Sequence, residues 1–426
     1  MVGVVGLGYV GLPLAVAFAE AGEQVVGVDI SPGRIADLRA GRSYIEDVPH
    51  EAIVACGQNF RATTRAADLA LADAIILCVP TPLTPNREPD LSALMGSAST
   101  LASIIQPGQL IVLESTTYPG TTREQLLPVL EESGLVAGRD FHLAFSPERV
   151  DPGRTDYTLR TTPKIIGGLT DACLDAAESL YALVCDEVVR VSSPEAAEMS
   201  KLLENIFRSV NIALVNELAE LADRMGLDIH EVVDAAATKP FGFMRFDPGP
   251  GMGGHCLPVD PFYLTWKARE YDFSTEFIEL AGKVNQHAPY VSVEKIERAL
   301  NDLERPVRGS RIAVLGVSYK AGVGDIRESP SLKIISRLVK LGADVVYHDE
   351  FVRAVPKLGL ESVSLEDALR GADLAVVVTA HPDIDYRAVA EQLPVVDLRG
   401  VLRDRHASAQ PARRLSPESI STARAA

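Results

Sequence analysis

A chain of 426 residues with 47% hydrophobic and 23% charged residues can bury the cores of two or three domains. Its formal charge of -17 argues against a nucleic-acid or anionic-membrane partner, because either needs a basic surface to displace counterions, so an anionic ligand must meet a local basic pocket. No apolar run reaches membrane-spanning length, no charged lead-in marks a signal peptide, and five scattered cysteines read as reduced thiols, so a cytoplasmic protein is expected.

From the start, short β-branched runs at 2–5, 24–29, 74–79, 110–113 and 141–145 alternate with helix-like stretches. They are apolar on consecutive positions, which predicts parallel strands buried on both faces and a doubly wound α/β domain. The pattern continues through 164–167 and 187–191. Gly6, Gly8 and Gly11 follow the first strand and precede a helix predicted over 12–21, with Tyr9 and Val10 in the same loop. In that context the glycines serve a tight turn, close approach of backbone to a pyrophosphate, and close helix packing. Asp29 closes the second strand where a carboxylate accepts hydrogen bonds from the adenosine ribose and repels a 2'-phosphate. NAD is therefore the expected cofactor, with Arg34 a nearby cation of the kind that accommodates such a phosphate.

From Pro194 to about Met225 there is no glycine or internal proline, and apolar residues recur at helical spacing. A helix of roughly thirty residues, about 45 Å long, is predicted there as a link between domains. Further helices are expected around 229–237 and 277–300. Between them lies Gly249-Pro-Gly-Met-Gly-Gly-His-Cys-Leu-Pro-Val-Asp-Pro261. Structural cysteines usually sit among apolar residues, as Cys78 and Cys185 do in sequence; Cys256 instead follows glycines in a loop where backbone amides can approach a ligand. A nucleophilic and a structural role are evenly balanced on that ground, and the thiol needs a cation or donor to act near neutrality. His255 reads as loop structure. Lys201 and Asn205, four apart on one helix face, suit an oxyanion, but spacing alone favours a solvated face. Asp260 reads equally as a turn carboxylate.

After Arg305-Pro306 the alternation restarts at 311–316, 344–347, 374–378 and 395–396, predicting a second, smaller Rossmann-like unit. Gly316-Val-Ser-Tyr-Lys320 lacks the later glycines, so a different phosphate-bearing ligand is expected there. The predicted architecture is α/β, with two Rossmann-like doubly wound parallel-sheet domains joined by a long central helix and a small helical domain. Its boundaries are 1–192 for NAD, 193–304 for the helical domain with the cysteine loop, and 305–403 for the second Rossmann-like domain. Residues 404–426 form a tail without periodicity. No metal site is expected.

Several stretches, in order, carry a resemblance: Gly6-Leu-Gly-Tyr-Val-Gly-Leu-Pro-Leu14, Val79-Pro-Thr-Pro82, Ser115-Thr-Thr-Tyr-Pro-Gly120, Ser146-Pro-Glu-Arg149, Lys201-Leu-Leu-Glu-Asn205, the Cys256 run and Asp325-Ile-Arg-Glu-Ser-Pro330. Over nearly its whole length the chain resembles the UDP-glucose/GDP-mannose dehydrogenases, which oxidise the C6 alcohol of a nucleotide sugar to a carboxylate in two NAD-dependent steps. The resemblance implies that Asp260 and a bound water help remove the hydroxyl proton and that Cys256 captures the aldehyde as a thiohemiacetal. Lys201 and Asn205 would then steady its oxygen, and Glu148 and Thr116 would position the water that hydrolyses the resulting thioester. It further implies that Thr81, Thr116 and Arg327 join the cofactor residues, and that Glu148, Arg149, Lys201, Asn205 and Gly253 line the sugar site. Lys320 and Arg399 would hold the diphosphate or sugar, and a homodimer would form through the long helix.

The match is not uniform. The UDP-glucose branch carries a second glutamate about four residues past the first, where this chain reads Arg149-Val-Asp-Pro-Gly153, with Asp151 the substitute. The arginine that some relatives send into a neighbouring subunit has Lys239 and Arg245 as candidates. Ser146-Pro-Glu-Arg-Val-Asp-Pro-Gly153 and Lys239-Pro-Phe-Gly-Phe-Met244 look most like the branch acting on UDP-N-acetylglucosamine, ahead of UDP-glucose or UDP-N-acetylmannosamine. Rival readings are a two-electron NAD-dependent hydroxy-acid dehydrogenase and a non-catalytic NAD-binding regulator.

Overall fold

The computed structural model describes residues 1–403, apart from 46, 85, 150–155, 255, 256 and 258. The chain divides into two units, one from 1–210 with 255–282 and the other from 211–254 with the chain from 283 onward.

The first unit is built on an eight-stranded sheet of β1 (Val2–Val5), β2 (Val25–Val28), β3 (Phe60–Thr63), β4 (Ala74–Leu77), β5 (Leu110–Leu113), β6 (His142–Phe145), β7 (Lys164–Gly168) and β8 (Val188–Val191), in the order β3-β2-β1-β4-β5-β6-β7-β8. The pleat divides each apolar run between two cores. Ile76, Val112, Ala144 and Ile166 pack with Leu12, Leu14, Ala15 and Phe18 of the Gly11–Glu20 helix. Ile75, Leu77, Ile111, Leu113 and Phe145 pack with Leu94, Ala98 and Leu101 of the Ser92–Ala102 helix on the other face. Burial on both faces is why these strands are continuously apolar.

One step departs from the parallel pattern: β7 runs antiparallel to β6, with Phe145 opposite Gly167. Among the described residues between them no helix supplies the crossover that a parallel return requires. The order of the strands reverses between β1 and β4, which opens a crevice beyond their carboxyl ends.

The long helix spans Pro194–Met225, 32 residues, its first half in the first unit and the remainder in the second. The second unit adds the Ile229–Ala237 helix, most of the Glu276–Asp302 helix, and a four-stranded parallel sheet. That sheet contains β9 (Arg311–Leu315) and β10 (Asp344–His348). After a small antiparallel pair, β11 (Ala354–Val355) and β12 (Leu360–Glu361), it is completed by β13 (Leu374–Val377) and β14 (Val395–Asp397), in the order β10-β9-β13-β14.

The two sheets meet the same steric problem in the same way. Gly6, at φ +89°, turns so close to β4 that a Cβ would stand 2.5 Å from the Cys78 carbonyl oxygen. Gly316, at φ +82°, turns against β13, where a Cβ would stand 2.2 Å from the Thr379 carbonyl oxygen. Only glycine combines that backbone with that approach.

Candidate active site

At the crevice between β1 and β4, a Cβ on Gly11 would stand 1.9 Å from the Gly6 carbonyl oxygen, whereas one on Gly8 would meet nothing within 4 Å. Gly6 and Gly11 thus close the turn onto its helix, and the backbone at Gly8 lies open to a ligand. Asp29, 5% exposed, accepts hydrogen bonds from the Leu7 amide at 3.0 Å and the Ser31 amide at 2.9 Å, with Arg34 Nη1 3.3 Å from Oδ2. Tyr44 donates to the Leu7 carbonyl at 2.6 Å, and the Arg34 guanidinium lies over its ring. Burial and the Asp29 charge push the Tyr44 phenol up to about 12, so it remains a donor. Tyr9 stands exposed at the rim and Val10 is half-buried. A glycine loop open at one position and a carboxylate at the end of the second strand fit NAD.

The floor of this crevice is tied to the next elements. The Thr81 hydroxyl, after β4, donates to the Thr116 carbonyl after β5 at 2.7 Å. Tyr263, wholly buried, donates to the Thr81 carbonyl from the Asp260–Ala268 helix. That helix was not foreseen; it starts at Asp260 with Pro261 in its first turn, where proline's fixed φ and missing N–H are tolerated.

Asp260 is therefore a buried first-turn residue, not a turn carboxylate, and is 2% exposed. Its carboxylate receives the Asn205 amide, and burial lifts it to about 6 against the pull of Lys201 and the Asn205 hydrogen bond. Lys201 is 9% exposed, so the solvated-face reading does not hold for it. Two side chains one turn apart on the long helix thus face one at the start of the Asp260–Ala268 helix, four residues along the chain from Cys256. Cys256 and His255 lie outside the described residues, as do Asp151 and the tail 404–426.

Glu148 follows β6, with its Oε2 3.8 Å from the ammonium of Lys164 and its Oε1 accepting from the Arg149 amide at 2.6 Å. Arg149 directs its guanidinium to the Pro163 carbonyl at 2.5 Å and to Glu204 at 2.7 Å. Thr116 is half-buried. Its neighbour Thr117 is 1% exposed, and its hydroxyl has no hydrogen-bond partner among the described residues. The sequence reading missed Thr117 because Ser115, Thr116 and Thr117 are chemically alike until the backbone aims them. It missed Lys164 and Glu114, a buried ion pair, because charges at strand ends usually face solvent.

In the second unit, Gly253 and Gly254 pack on Tyr319, where a Cβ on Gly253 would stand 2.5 Å from the Tyr319 Cβ. The Gly254 amide donates to the Arg327 carbonyl at 2.9 Å, while the Arg327 guanidinium pairs with Asp325 at 2.6 Å. Lys320 is half-buried, and Arg399 is exposed beside Gly249. Arg245 is held by Asp234 at 2.6 Å and Asp247 at 2.8 Å, and Lys239 lies over the Phe241 ring. Asp349 ends β10 as Asp29 ends β2, but it accepts from the Val317 and Ser318 amides and contacts His381 at 3.1 Å, so the loop itself consumes it. The structure thus brings Lys201, Asn205 and Asp260 together and places Glu148 and Thr116 at strand ends of the same unit. Gly253, Lys320, Arg327 and Arg399 belong to the other unit.

A parallel sheet whose strand order reverses, a glycine loop fitted to a dinucleotide, and a buried lysine and aspartate joined by an asparagine define an NAD-dependent oxidoreductase. Models of one family match in succession: its NAD binding domain over residues 1–185, its central domain over 195–287 and its UDP binding domain over 313–404. A UDP-N-acetyl-D-glucosamine 6-dehydrogenase of Pseudomonas aeruginosa is 38% identical over 356 residues, covering 83% of each chain. A UDP-N-acetyl-D-mannosamine dehydrogenase of Pyrococcus horikoshii is 36% identical over 414 residues, covering 95% of this chain and 96% of its own. A solved structure of UDP-D-ManNAc dehydrogenase from that organism superposes with a TM-score of 0.88 at 35% identity, over 95% of this chain and 96% of the other. The chain belongs to the UDP-glucose/GDP-mannose dehydrogenase family. It is an NAD-dependent oxidoreductase acting on the alcohol of a nucleotide sugar, and the UDP binding domain makes its substrate a UDP-sugar. No described helix is long and apolar enough to cross a membrane.

Proposed function

We propose that the chain oxidises the C6 alcohol of UDP-N-acetylglucosamine to the uronic acid, with UDP-N-acetylmannosamine and UDP-glucose the alternatives. The observation that carries this reading is the convergence of Lys201, Asn205 and Asp260, the last of them four residues along the chain from Cys256. The N-acetylhexosamine choice is supported by the Ser146 to Gly153 and Lys239 to Met244 stretches and by the names of the relatives above.

Bound NAD supplies the hydride acceptor for both oxidations. Asp260, lifted to about 6 and therefore largely ionised at neutral pH, assists removal of the hydroxyl proton. Cys256 adds to the aldehyde carbon and keeps it in place, and the Lys201 ammonium and Asn205 amide steady the thiohemiacetal oxygen. Water, directed by Glu148 and a hydroxyl of the Thr116-Thr117 pair, hydrolyses the thioester to acid and free thiol. Gly6, Gly8, Tyr9, Val10, Gly11, Asp29, Arg34, Thr81 and Thr116 hold the cofactor with Arg327, and Arg149, Gly253, Lys320 and Arg399 serve the nucleotide sugar.

Residues 1–192 carry NAD in this reading, 193–304 the cysteine loop and dimer contact, and 305–403 the UDP-sugar. The protein acts in the cytoplasm as a homodimer. A panel of UDP-N-acetylglucosamine, UDP-N-acetylmannosamine, UDP-glucose and GDP-mannose with NAD tests it. Two NADH per sugar are expected, and Cys256→Ser should make no acid while still binding NAD; one NADH per sugar, or normal turnover in that variant, removes the reading.

A further inference from the structure

Beneath Glu148 lies a charge cluster that folding alone does not favour. Lys164, on β7, is 2% exposed and Glu114, after β5, is 1% exposed, and they form an ion pair inside the first unit. Tyr181, wholly buried, donates to the other Glu114 oxygen at 2.6 Å. Lysine and glutamate are almost never so deeply buried unless paired, and an apolar pair of similar size is often at least as stable. Burial works against the Lys164 charge, but Glu114 and Glu148 outweigh it and hold the ammonium; burial lifts Glu114 in turn.

We propose that Lys164 and Glu114 are positioning residues for thioester hydrolysis, Lys164 aiming the Glu148 carboxylate and Glu114 holding the Lys164 ammonium in place. The inference rests on the reading of Glu148 as the group that handles the hydrolytic water. One ammonium serves two carboxylates, with its Nζ 3.8 Å from Glu148. Both oxygens of Glu114 are engaged, by Lys164 and Tyr181, and it is sealed from solvent. The Glu148 side chain retains 15% exposure, so of the two carboxylates it is the one that water reaches.

In the step itself the water oxygen bonds to the thioester carbonyl carbon and its proton passes to Glu148. The carbon–sulfur bond then breaks, and the proton passes on to the departing thiolate. The products are the acid and the thiol, with no change in oxidation state. The other groups facing the cluster are Cys78 after β4, Cys185 behind the Asp171–Tyr181 helix, and Arg149; Arg160 acts on Cys185 from outside. Burial raises both thiols, Cys185 to about 11, so they add no charge near neutrality.

The test uses the full-length enzyme with NAD and whichever sugar of the panel gives the fastest NADH formation. Hydrolysis is followed from pH 5 to 9 by quenching and intact-protein mass spectrometry of the sugar adduct. Glu148→Gln should accumulate the adduct. Glu114→Gln loosens the hold on the Lys164 ammonium and should slow hydrolysis roughly tenfold, with the first NADH formed at close to the normal rate. Lys164→Met should slow hydrolysis at least about tenfold, with the first NADH formed at close to the normal rate; Lys164→Arg should restore it. If Glu148→Gln stalls but Glu114→Gln and Lys164→Met hydrolyse the adduct at the normal rate, the inference is overturned and the Glu148 reading survives. If Glu148→Gln hydrolyses normally, both fall. Should Lys164→Met fail to bind NAD, the isosteric Glu114→Gln decides alone.

Discussion

At the scale of the residue, Asp260 is the clearest case of an environment setting a chemistry. Burial lifts its carboxyl to about 6, and the Lys201 charge and the Asn205 amide hold it from rising further. The ionised form is the one that can accept a proton, so NADH formation should fall as pH drops through about 6. Removing the neighbouring cation with Lys201→Met should move that limb to higher pH as well as slow the reaction. A pH profile of kcat checks both; a limb that stays put in the variant would separate Lys201 from Asp260. Asp260→Asn should lower kcat on the order of a hundredfold while NAD binding, read by fluorescence titration, is unchanged. Much of this site was legible in the chain. Lys201 and Asn205 were a pair on one helix face, and Gly6, Gly8 and Gly11 stood in the only context that gives them meaning. Burial was not legible, and burial separates Lys201 from an ordinary surface lysine and Thr117 from the hydroxyls beside it.

At the scale of the element, strands buried on both faces announced themselves because a short run of consecutive apolar residues must be covered from two sides. β3 did not: Phe60-Arg-Ala-Thr63 pairs with β2 alone, at the sheet edge, and keeps Arg61 in solvent. The Asp260–Ala268 helix was hidden by the glycine run before it. Less visible still is how the long helix is fixed. Glu198, one turn before Lys201 and wholly buried, accepts the Gly120 amide at 2.6 Å, the Thr122 amide at 2.9 Å and the Thr122 hydroxyl at 2.7 Å. It therefore anchors the helix bearing Lys201 to the segment that follows Thr116 and Thr117. Burial lifts its carboxyl to about 7 although three donors favour the ion. A carboxyl raised in the folded state stabilises most below its unfolded value of about 4.3, and that contribution is lost as pH rises through about 7. Glu198→Gln has nothing to titrate and turns an amide group against a donor, which should cost about 1–3 kcal/mol. The difference in Tm between wild type and variant should be larger at pH 5.5 than at pH 8.5. A difference that grows with pH would mean that the three donors, not burial, set the state of the carboxyl.

At the scale of the whole molecule, the long helix exposes a stripe of apolar side chains among the described residues. Met199, Leu203, Phe207, Leu214, Leu218, Leu221 and Met225 are 40% to 62% exposed, and their spacings of three, four and seven keep them on one face. Isolated surface leucines are ordinary, but a row that recurs along most of one helix is not. In the proposed homodimer the same row of a second chain covers it, an arrangement in which one patch serves both partners. Fully burying an exposed leucine is worth about 1.5–3 kcal/mol, so Leu214, Leu218 and Leu221, each about half exposed, would add roughly half of that apiece to such a contact. The charge of -17 on each chain opposes the contact and is screened by salt. Light scattering of the wild type should therefore give a dimer at micromolar concentration, strengthened by moderate salt. Leu214→Lys combined with Leu221→Lys places like charges where two apolar rows would meet and should leave a monomer with an unchanged far-ultraviolet helix signal. A doubly substituted protein that remains dimeric would move the interface away from this helix, and a wild-type monomer would leave the stripe to another partner.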